Sequence, residues 1–426
     1  MRRGEASALS ARVAAACRPL RSPLFRRHFT ARVLSWTGTA LSPVALAFAV
    51  LAIGGGPAGM GVIVAAEMGA VLVMLLVGGV VADRVSRTRV LAAANAVAGT
   101  GQSVAVFLLV TGWAQVWSLA VLAVVGGVAS AFSGPASSGL VREVVPGPDL
   151  QQANALLRLA QNVVKVGGPA VGGLVVAVAG ASWAIAWDAV TYFVAAFLYV
   201  GLRLPQGTVR LGPAGMAAQL AEGWREFRAR SWLWLMVAQS MLMVPAWLVA
   251  YQVLGPVYGQ RYLGGAAGWG LVMSAFTAGL LAGAWLALLW RPRRVGWLVC
   301  GAVAAMAVPM VSMAAGGGVP GVAAAMCLAG AGQSLASTVW AGLVQARVPN
   351  AVYGRVNSIC TLAQLAPVPV VALVAGHAAG AGGLRRALAV CAAVTLLAAG
   401  LPLARRRVRA LVLPRVQGRD LVRSGR

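Results

Sequence analysis

Charge is scarce in this chain. Of its 426 residues only 10% are Asp, Glu, Lys or Arg, while 60% are hydrophobic and the mean hydropathy is +0.82. Soluble domains carry about 25% charged residues, so a water-facing globule is excluded and lipid is the solvent for most of the chain. Acids are rarer still, nine against 35 basic residues, and histidine occurs twice. So few carboxylates and imidazoles, none clustered, build neither a metal centre nor an acid–base pair, which ranks a membrane-embedded enzyme low. The five cysteines (Cys17, Cys300, Cys327, Cys360 and Cys391) lie in the N-terminal arm or in apolar runs, so no disulfide framework is expected. A Gly-x-x-x-x-Gly-Lys-Ser/Thr loop is missing, which excludes ATP-driven chemistry on this chain. No cofactor is expected. The net charge of +26 suits a nucleic-acid binder in number only, because the arginines are spread over alternate loops and do not line one face.

What the chain does have is long charge-free runs: Val33 to Ala66, Val90 to Val141, Ser231 to Gln260, Tyr262 to Trp290, Val295 to Ala346 and Val356 to Leu384. A membrane helix needs about 20 apolar residues, so the two longest runs must each hold two helices and a hairpin. Turn signals stand where hairpins are needed, at Gly54-Gly55-Gly56-Pro57, Thr111-Gly112-Trp113 and Gly316-Gly317-Gly318-Val319-Pro320. The reading is an all-α integral membrane protein of about twelve spans, roughly 33–53, 60–82, 90–110, 116–140, 155–179, 182–201, 232–257, 265–290, 295–315, 319–343, 356–378 and 385–404. No small-residue cleavage site follows the first span, which is expected to remain in the mature protein.

Thirty basic residues then fall in the N-terminal arm, in alternate loops and in the tail, and only Arg261, Arg385 and Arg386 fall on the opposite side. That asymmetry puts both termini in the cytoplasm. Arginine replaces lysine everywhere but at Lys165, the mark of a GC-rich bacterial genome, so the expected location is a bacterial cytoplasmic membrane. Pro146 and Asn154 after span 4 recur as Pro349 and Asn357 after span 10, and Arg84 and Arg87 recur as Arg291 and Arg294. This echo predicts two pseudo-symmetric six-helix halves, 1–202 with the N-terminal arm and 231–426 with the basic tail, joined by a cytoplasmic linker, 203–230.

Between spans 2 and 3 lies Gly78-Gly79-Val80-Val81-Ala82-Asp83-Arg84-Val85-Ser86-Arg87-Thr88-Arg89, an acid and three arginines between two apolar helices. It resembles the Gly-x-Leu-Ala-Asp-Arg-x-Gly-Arg-Arg loop of the major facilitator superfamily of secondary transporters. Gly79, Ala82, Asp83, Arg84 and Arg87 match, and Val81, Ser86 and Thr88 depart. Leu150-Gln151-Gln152-Ala153-Asn154-Ala155-Leu156, Gly168-Pro169-Ala170-Val171-Gly172-Gly173 and Val348-Pro349-Asn350 to Gly354-Arg355-Val356-Asn357-Ser358 are similar to signatures of its drug:proton antiporter branch, which includes macrolide and siderophore exporters. Ala155 and Val164 replace glycines of the helix-5 antiporter motif, and span 4 lacks the arginine that many proton-coupled relatives carry.

The resemblance implies export of a hydrophobic or amphipathic small molecule by proton antiport, by a protein working as a monomer; a facilitator or importer of the same fold is the alternative. It also implies a conformational latch made by Gly79, Asp83, Arg84 and Arg87 with Arg142 at the end of span 4. Helices 5 and 8 meet in this superfamily, which assigns Gly168, Pro169, Gly172 and Gly173 of span 5 and Gly279 and Gly283 of span 8 to that contact. From the residues themselves, charges inside lipid are costly and mark function. Glu67 and Asp188 are the proton-coupling candidates, Glu67 the first because it lies too deep in span 2 for easy solvation. Lys165, in the middle of span 5, is suited to bind anionic cargo, to pair with a carboxylate such as Glu67, or to lose its proton. Gln102, Gln239, Gln333, Gln364, Trp36, Trp247 and Trp340 complete the candidate cavity lining.

Overall fold

The computed structural model describes residues 17–82, 86–202, 224–290, 294–348 and 350–409. Asp83, Arg84, Arg291, Pro349 and residues 203–223 of the linker lie outside the described residues. Twelve helical spans long and apolar enough to cross a bilayer occur among those described. The first six are single helices: α1 (Pro23–Ala52), α2 (Gly56–Ala82), α3 (Arg87–Thr111), α4 (Val116–Val144), α5 (Leu150–Ala179) and α6 (Ala181–Val200).

Helix α1 starts ten residues before the apolar run predicts. Its start is set by local chemistry: Ser22 accepts the Phe25 amide proton at 3.4 Å, and Pro23 occupies the first helical position, where no N–H is needed. Thirty residues make about 45 Å of helix, against a hydrocarbon core of about 30 Å, so the charged turn holding Arg26 and Arg27 is helix beyond the lipid core. The same reason lengthens α4 and α5 past their apolar limits.

The seventh span is broken. Helix α7 (Ser231–Val249) passes through a π-helical turn, Ala250–Leu254, into α8 (Gly255–Tyr262). Pro256 has no N–H to offer the carbonyl one turn back, which loosens the ladder there. The Trp269 ring lies against Gly255 and Gly259, where a side chain would collide with it. After α9 (Ala266–Leu289), α10 (Val295–Ala314) and α11 (Val319–Arg347), the eleventh span is also split, into α12 (Asn350–Leu365) and α13 (Val368–Gly382) around Pro367; α14 (Leu384–Gly400) ends the set. All six odd-to-even connections turn at a glycine with positive φ: Gly54, Gly112, Gly180, Gly264, Gly316 and Gly383. Left-handed backbone is cheap only without a Cβ, so these turns are tight and uncharged, whereas the charged segments fall in the alternate connections.

By contact the chain divides into two compact units, one of Met1–Pro213, Leu248–Ser274 and Val368–Ala387, the other of Ala214–Trp247, Ala275–Pro367 and Leu388–Arg426. In the first, α1 packs on α5 and α6, α3 on α4 and α6, and α2 on α4 and α13. Phe25, Leu91, Leu140, Leu157 and Tyr199 form its main buried cluster. Helices approach where glycine removes the side chain: Gly127 faces the Glu67 carbonyl, Gly61 the Ala372 carbonyl, and Gly173 the backbone of Gly270. In the second unit α10 packs on α11 over Met236, Val295, Val299, Leu335 and Leu343. Here the expectation for Gly279 and Gly283 is overturned, for they pack against Cys327 and Ala331 of α11 and not against α5. The α5 contact belongs to Gly270, two and a half turns earlier on α9. Spacing of small residues marks a close approach but does not name the partner.

Candidate functional site

Asp188 stands at the junction of α1, α3 and α6 and is fully buried. The Gln102 side-chain amide donates to its Oδ2 at 2.9 Å and lies 3.3 Å from the Ser42 hydroxyl. Gly38 provides the room: a side chain there would collide with Asp188 and with Thr191, whose hydroxyl donates to the Asp188 carbonyl at 2.8 Å. The second carboxylate oxygen, Oδ1, is buried without a hydrogen-bond partner. One turn on, the Tyr192 and Thr39 hydroxyls share a hydrogen bond of 3.0 Å. Asp188 is thus held inside a packed three-helix seam.

Glu67 is placed differently. It is half-buried on α2, and among the described residues its carboxylate has neither a hydrogen bond nor an ion pair. The pairing with Lys165, one of the alternatives for that lysine, is not found among the described residues. Lys165 is exposed on α5 and has no ion pair among the described residues, and α2 packs on α4 and α13.

Arg32 and His28 form a feature the sequence reading missed. His28 is fully buried, with Nε2 at 3.3 Å from the Ser137 hydroxyl and Nδ1 at 3.2 Å from the Tyr199 hydroxyl, stapling α1 to α4 and α6. One turn later the Arg32 guanidinium lies 4.7 Å from the centre of the half-buried Trp36 ring. The available signal was the i, i+4 spacing of His28, Arg32 and Trp36 on one helical face.

At the charged end of α3, Arg87 pairs with Glu143 at 2.8 Å and lies over Gly139, where a Cβ would displace the guanidinium. Arg142, the latch partner expected from sequence, is exposed beside it, and Gly79 lies on α2. Glu143 was overlooked although it is one of only nine acids. The remaining latch residues, Asp83 and Arg84, fall outside the described residues.

On α5, Gly168 faces Ala40, Gly172 faces Leu41 and Gly173 faces Gly270, with Pro169 inside the helix. A groove of about 690 Å³ runs along the outer face of this helix between α1 and α6, lined by Leu41, Val163, Val171, Trp183 and Trp187 among others. Its walls are apolar and hold none of the charged or amide candidates.

In the second unit Gln239 is buried, its amide donating to the Cys300 sulfur at 3.7 Å, and Trp247 is buried with its ring 5.6 Å from that of Phe276. Trp340 is half-buried, edge-on to Trp232 at 5.7 Å; Gln333 has a buried side-chain oxygen without a partner, and Gln364 is half-buried. Among the described residues no cluster of His, Cys, Asp or Glu is arranged to hold a metal.

Residues 14–420 match the family described as transmembrane secretion effector. The multidrug efflux pump Tap of Mycobacterium tuberculosis is 28% identical over 424 residues, covering 94% of this chain and 96% of the pump, and Tap of Mycobacterium bovis matches to the same extent. Among solved structures, the nucleoside transporter NupG superposes with a TM-score of 0.71 at 11% identity, covering 90% of this chain and 98% of that one. A bacterial homologue of the iron transporter ferroportin gives 0.68 at 16% identity, covering 89% and 98%. Such low identities speak for the fold alone, but the family match runs nearly end to end. A twelve-span helical membrane protein with these motifs in this order is a transporter and not an enzyme, and the chain belongs to the transmembrane secretion effector family of the major facilitator superfamily.

Proposed function

We propose that this protein is a secondary active transporter that exports hydrophobic or amphipathic small molecules, drugs among them, in exchange for protons. The single observation that carries the proton part is Glu67, a carboxyl at membrane depth with no partner among the described residues, in a chain similar along its length to a multidrug efflux pump. A partnerless acid in lipid is costly to keep charged, so it is suited to take a proton on one side and surrender it on the other. Asp188, clamped by Gln102, is the second candidate. The excess of basic residues in alternate loops supports cytoplasmic termini and a bacterial cytoplasmic membrane. The cycle would alternate the halves 1–202 and 231–426, with the protein acting as a monomer. Asp83 would latch the loop after α2 against Arg142, and the Arg87–Glu143 pair supports a charged contact at that end.

The test is transport of an amphipathic dye in proteoliposomes under an imposed pH gradient. Antiport predicts uphill movement that reverses when the gradient is inverted. Flux that only follows the dye gradient would identify a facilitator. In cells, a pump-deficient bacterial host expressing the protein should accumulate less of at least one amphipathic antibiotic or dye.

A further inference from the structure

The α5 helix carries a polar face that extends from Lys165 toward the start of the helix. Gln151, Asn154, Arg158, Asn162 and Lys165 recur three or four residues apart, so they share one side of the helix, and all five are exposed. The same side continues through Pro169 to Gly172 and Gly173, where Leu41 and Gly270 close it by packing. The apolar groove with Val163 and Val171 lies on the opposite side, as do exposed Leu174 and Val178. A helix that is apolar on one side and polar on the other, over about 20 Å of rise from 151 to 165, is solvated by lipid on the first and by water on the second.

The polar side is cationic without compensation. Neither Arg158 nor Lys165 has an ion pair among the described residues, and no Asp or Glu shares their face of α5. Across the same unit the Arg32 guanidinium rests on Trp36 and is likewise without an ion pair among the described residues. Each carboxylate on the elements packed on α5 is engaged elsewhere: Asp188 is sealed in the α1–α3–α6 seam, Asp149, just before α5, pairs with Arg18 at 3.2 Å, and Glu143 of α4 pairs with Arg87 at 2.8 Å. Ionisable groups within a span face a bundle interior or a water-filled cavity and mark ligand pathways.

We propose that this face of α5 recognises an acidic group on the cargo, so that the preferred substrates are amphiphiles bearing a carboxylate, sulfonate or phosphate. This rests on the transport reading and sharpens it. Lys165 supplies a point charge near mid-membrane, Arg158 a planar fork one and a half to two turns nearer the helix start, and Asn162 a neutral donor between them. A membrane potential negative inside would also drive such a cargo outward.

Fluorescein and ethidium are planar aromatic probes of similar size and opposite charge, and they separate the possibilities. Binding is read by fluorescence anisotropy on the purified protein in phosphatidylcholine nanodiscs, and transport by efflux from proteoliposomes. Fluorescein should bind and move; Lys165→Gln should weaken its binding roughly tenfold, equivalent to about 1.4 kcal/mol; Lys165→Arg should restore it; and Arg158→Gln should weaken it less. Absence of fluorescein binding overturns the proposal, and so does binding that Lys165→Gln and Arg158→Gln leave unchanged. If ethidium is then still pumped, export stands with a cationic cargo; if neither probe moves under any gradient, the export reading falls too. Fluorescein binding that phosphatidylglycerol in the nanodisc abolishes would assign the face to lipid headgroups and overturn it as well.

Discussion

Two acidic residues at membrane depth, Asp188 on α6 and Glu67 on α2, meet different surroundings in the same unit. Around Asp188 three helices close tightly, Gly38 gives up its side chain to make room, and Gln102 donates a hydrogen bond at 2.9 Å. At Glu67 the backbone carbonyl meets Gly127, while the half-buried carboxylate has no hydrogen-bond or ion-pair partner among the described residues. Depth alone therefore does not decide what an intramembrane acid does. One carboxylate has a fixed donor, and the other has none among the described residues.

That contrast can be broken most forcefully at Gly38. Gly38→Val forces a side chain into Asp188 and Thr191 and should cost about 3 kcal/mol or more through overpacking, seen as loss of the monodisperse species on heating in detergent. If Gly38→Val melts like the wild type, the seam is looser than described. Asp188→Ala should come next: it leaves the Gln102 amide with only the longer Ser42 contact at 3.3 Å, and losing the better partner in a buried site costs about 1–3 kcal/mol, part of which the double variant Gln102→Leu/Asp188→Ala should recover. A non-additive recovery is the signature of the direct bond.

Glu67→Gln should behave in the opposite sense, with a stability change within about 0.5 kcal/mol and loss of uphill transport, while downhill exchange of the same dye persists. Concentrative transport by this variant would move the proton role to Asp188. The smallest effect belongs to the charged end of α3. Arg87→Gln removes a partly exposed ion pair worth about 0.2–1 kcal/mol, so it should leave expression intact and alter transport rate modestly, with the difference from wild type shrinking at high salt. A loss as large as that of Asp188→Ala would show that Glu143 and Gly139 hold Arg87 in a structural lock.

Much of the architecture is legible in the residues because the price of a charge in lipid is local. The charge-free runs place twelve spans, and glycines at Gly112, Gly316 and elsewhere set the turns, since both effects act within one segment. Helix limits follow less well. The lipid boundary is set by hydropathy, while α1 extends to Pro23 because backbone hydrogen bonds and the Ser22 cap continue beyond it. The split of the eleventh span at Pro367 was written in the sequence as a proline yet looks no different from Pro43 or Pro135, which stay inside continuous helices. Whether a proline breaks a helix depends on what neighbouring helices offer the freed carbonyl.

The candidate site divides along the same line. Its ingredients could be named from sequence, because Glu67, Asp188 and Lys165 are charges inside apolar spans. Their partners could not. Arg87 meets Glu143 across 56 residues, Asp188 meets Gln102 across 86, and His28 reaches Tyr199 across 171. By itself the sequence determined that the chain is a helical membrane protein, how many times it crosses, where it turns and which charges are buried in lipid. These follow from transfer free energies and backbone sterics that each segment carries alone. Only the tertiary structure decided that Asp188 is sealed against Gln102, that Gly279 faces Cys327 while Gly270 faces Gly173, and that Glu67 and Lys165 have no ion-pair partner among the described residues. A pairing between helices depends on the rotation and height at which two faces meet, and no single segment specifies either.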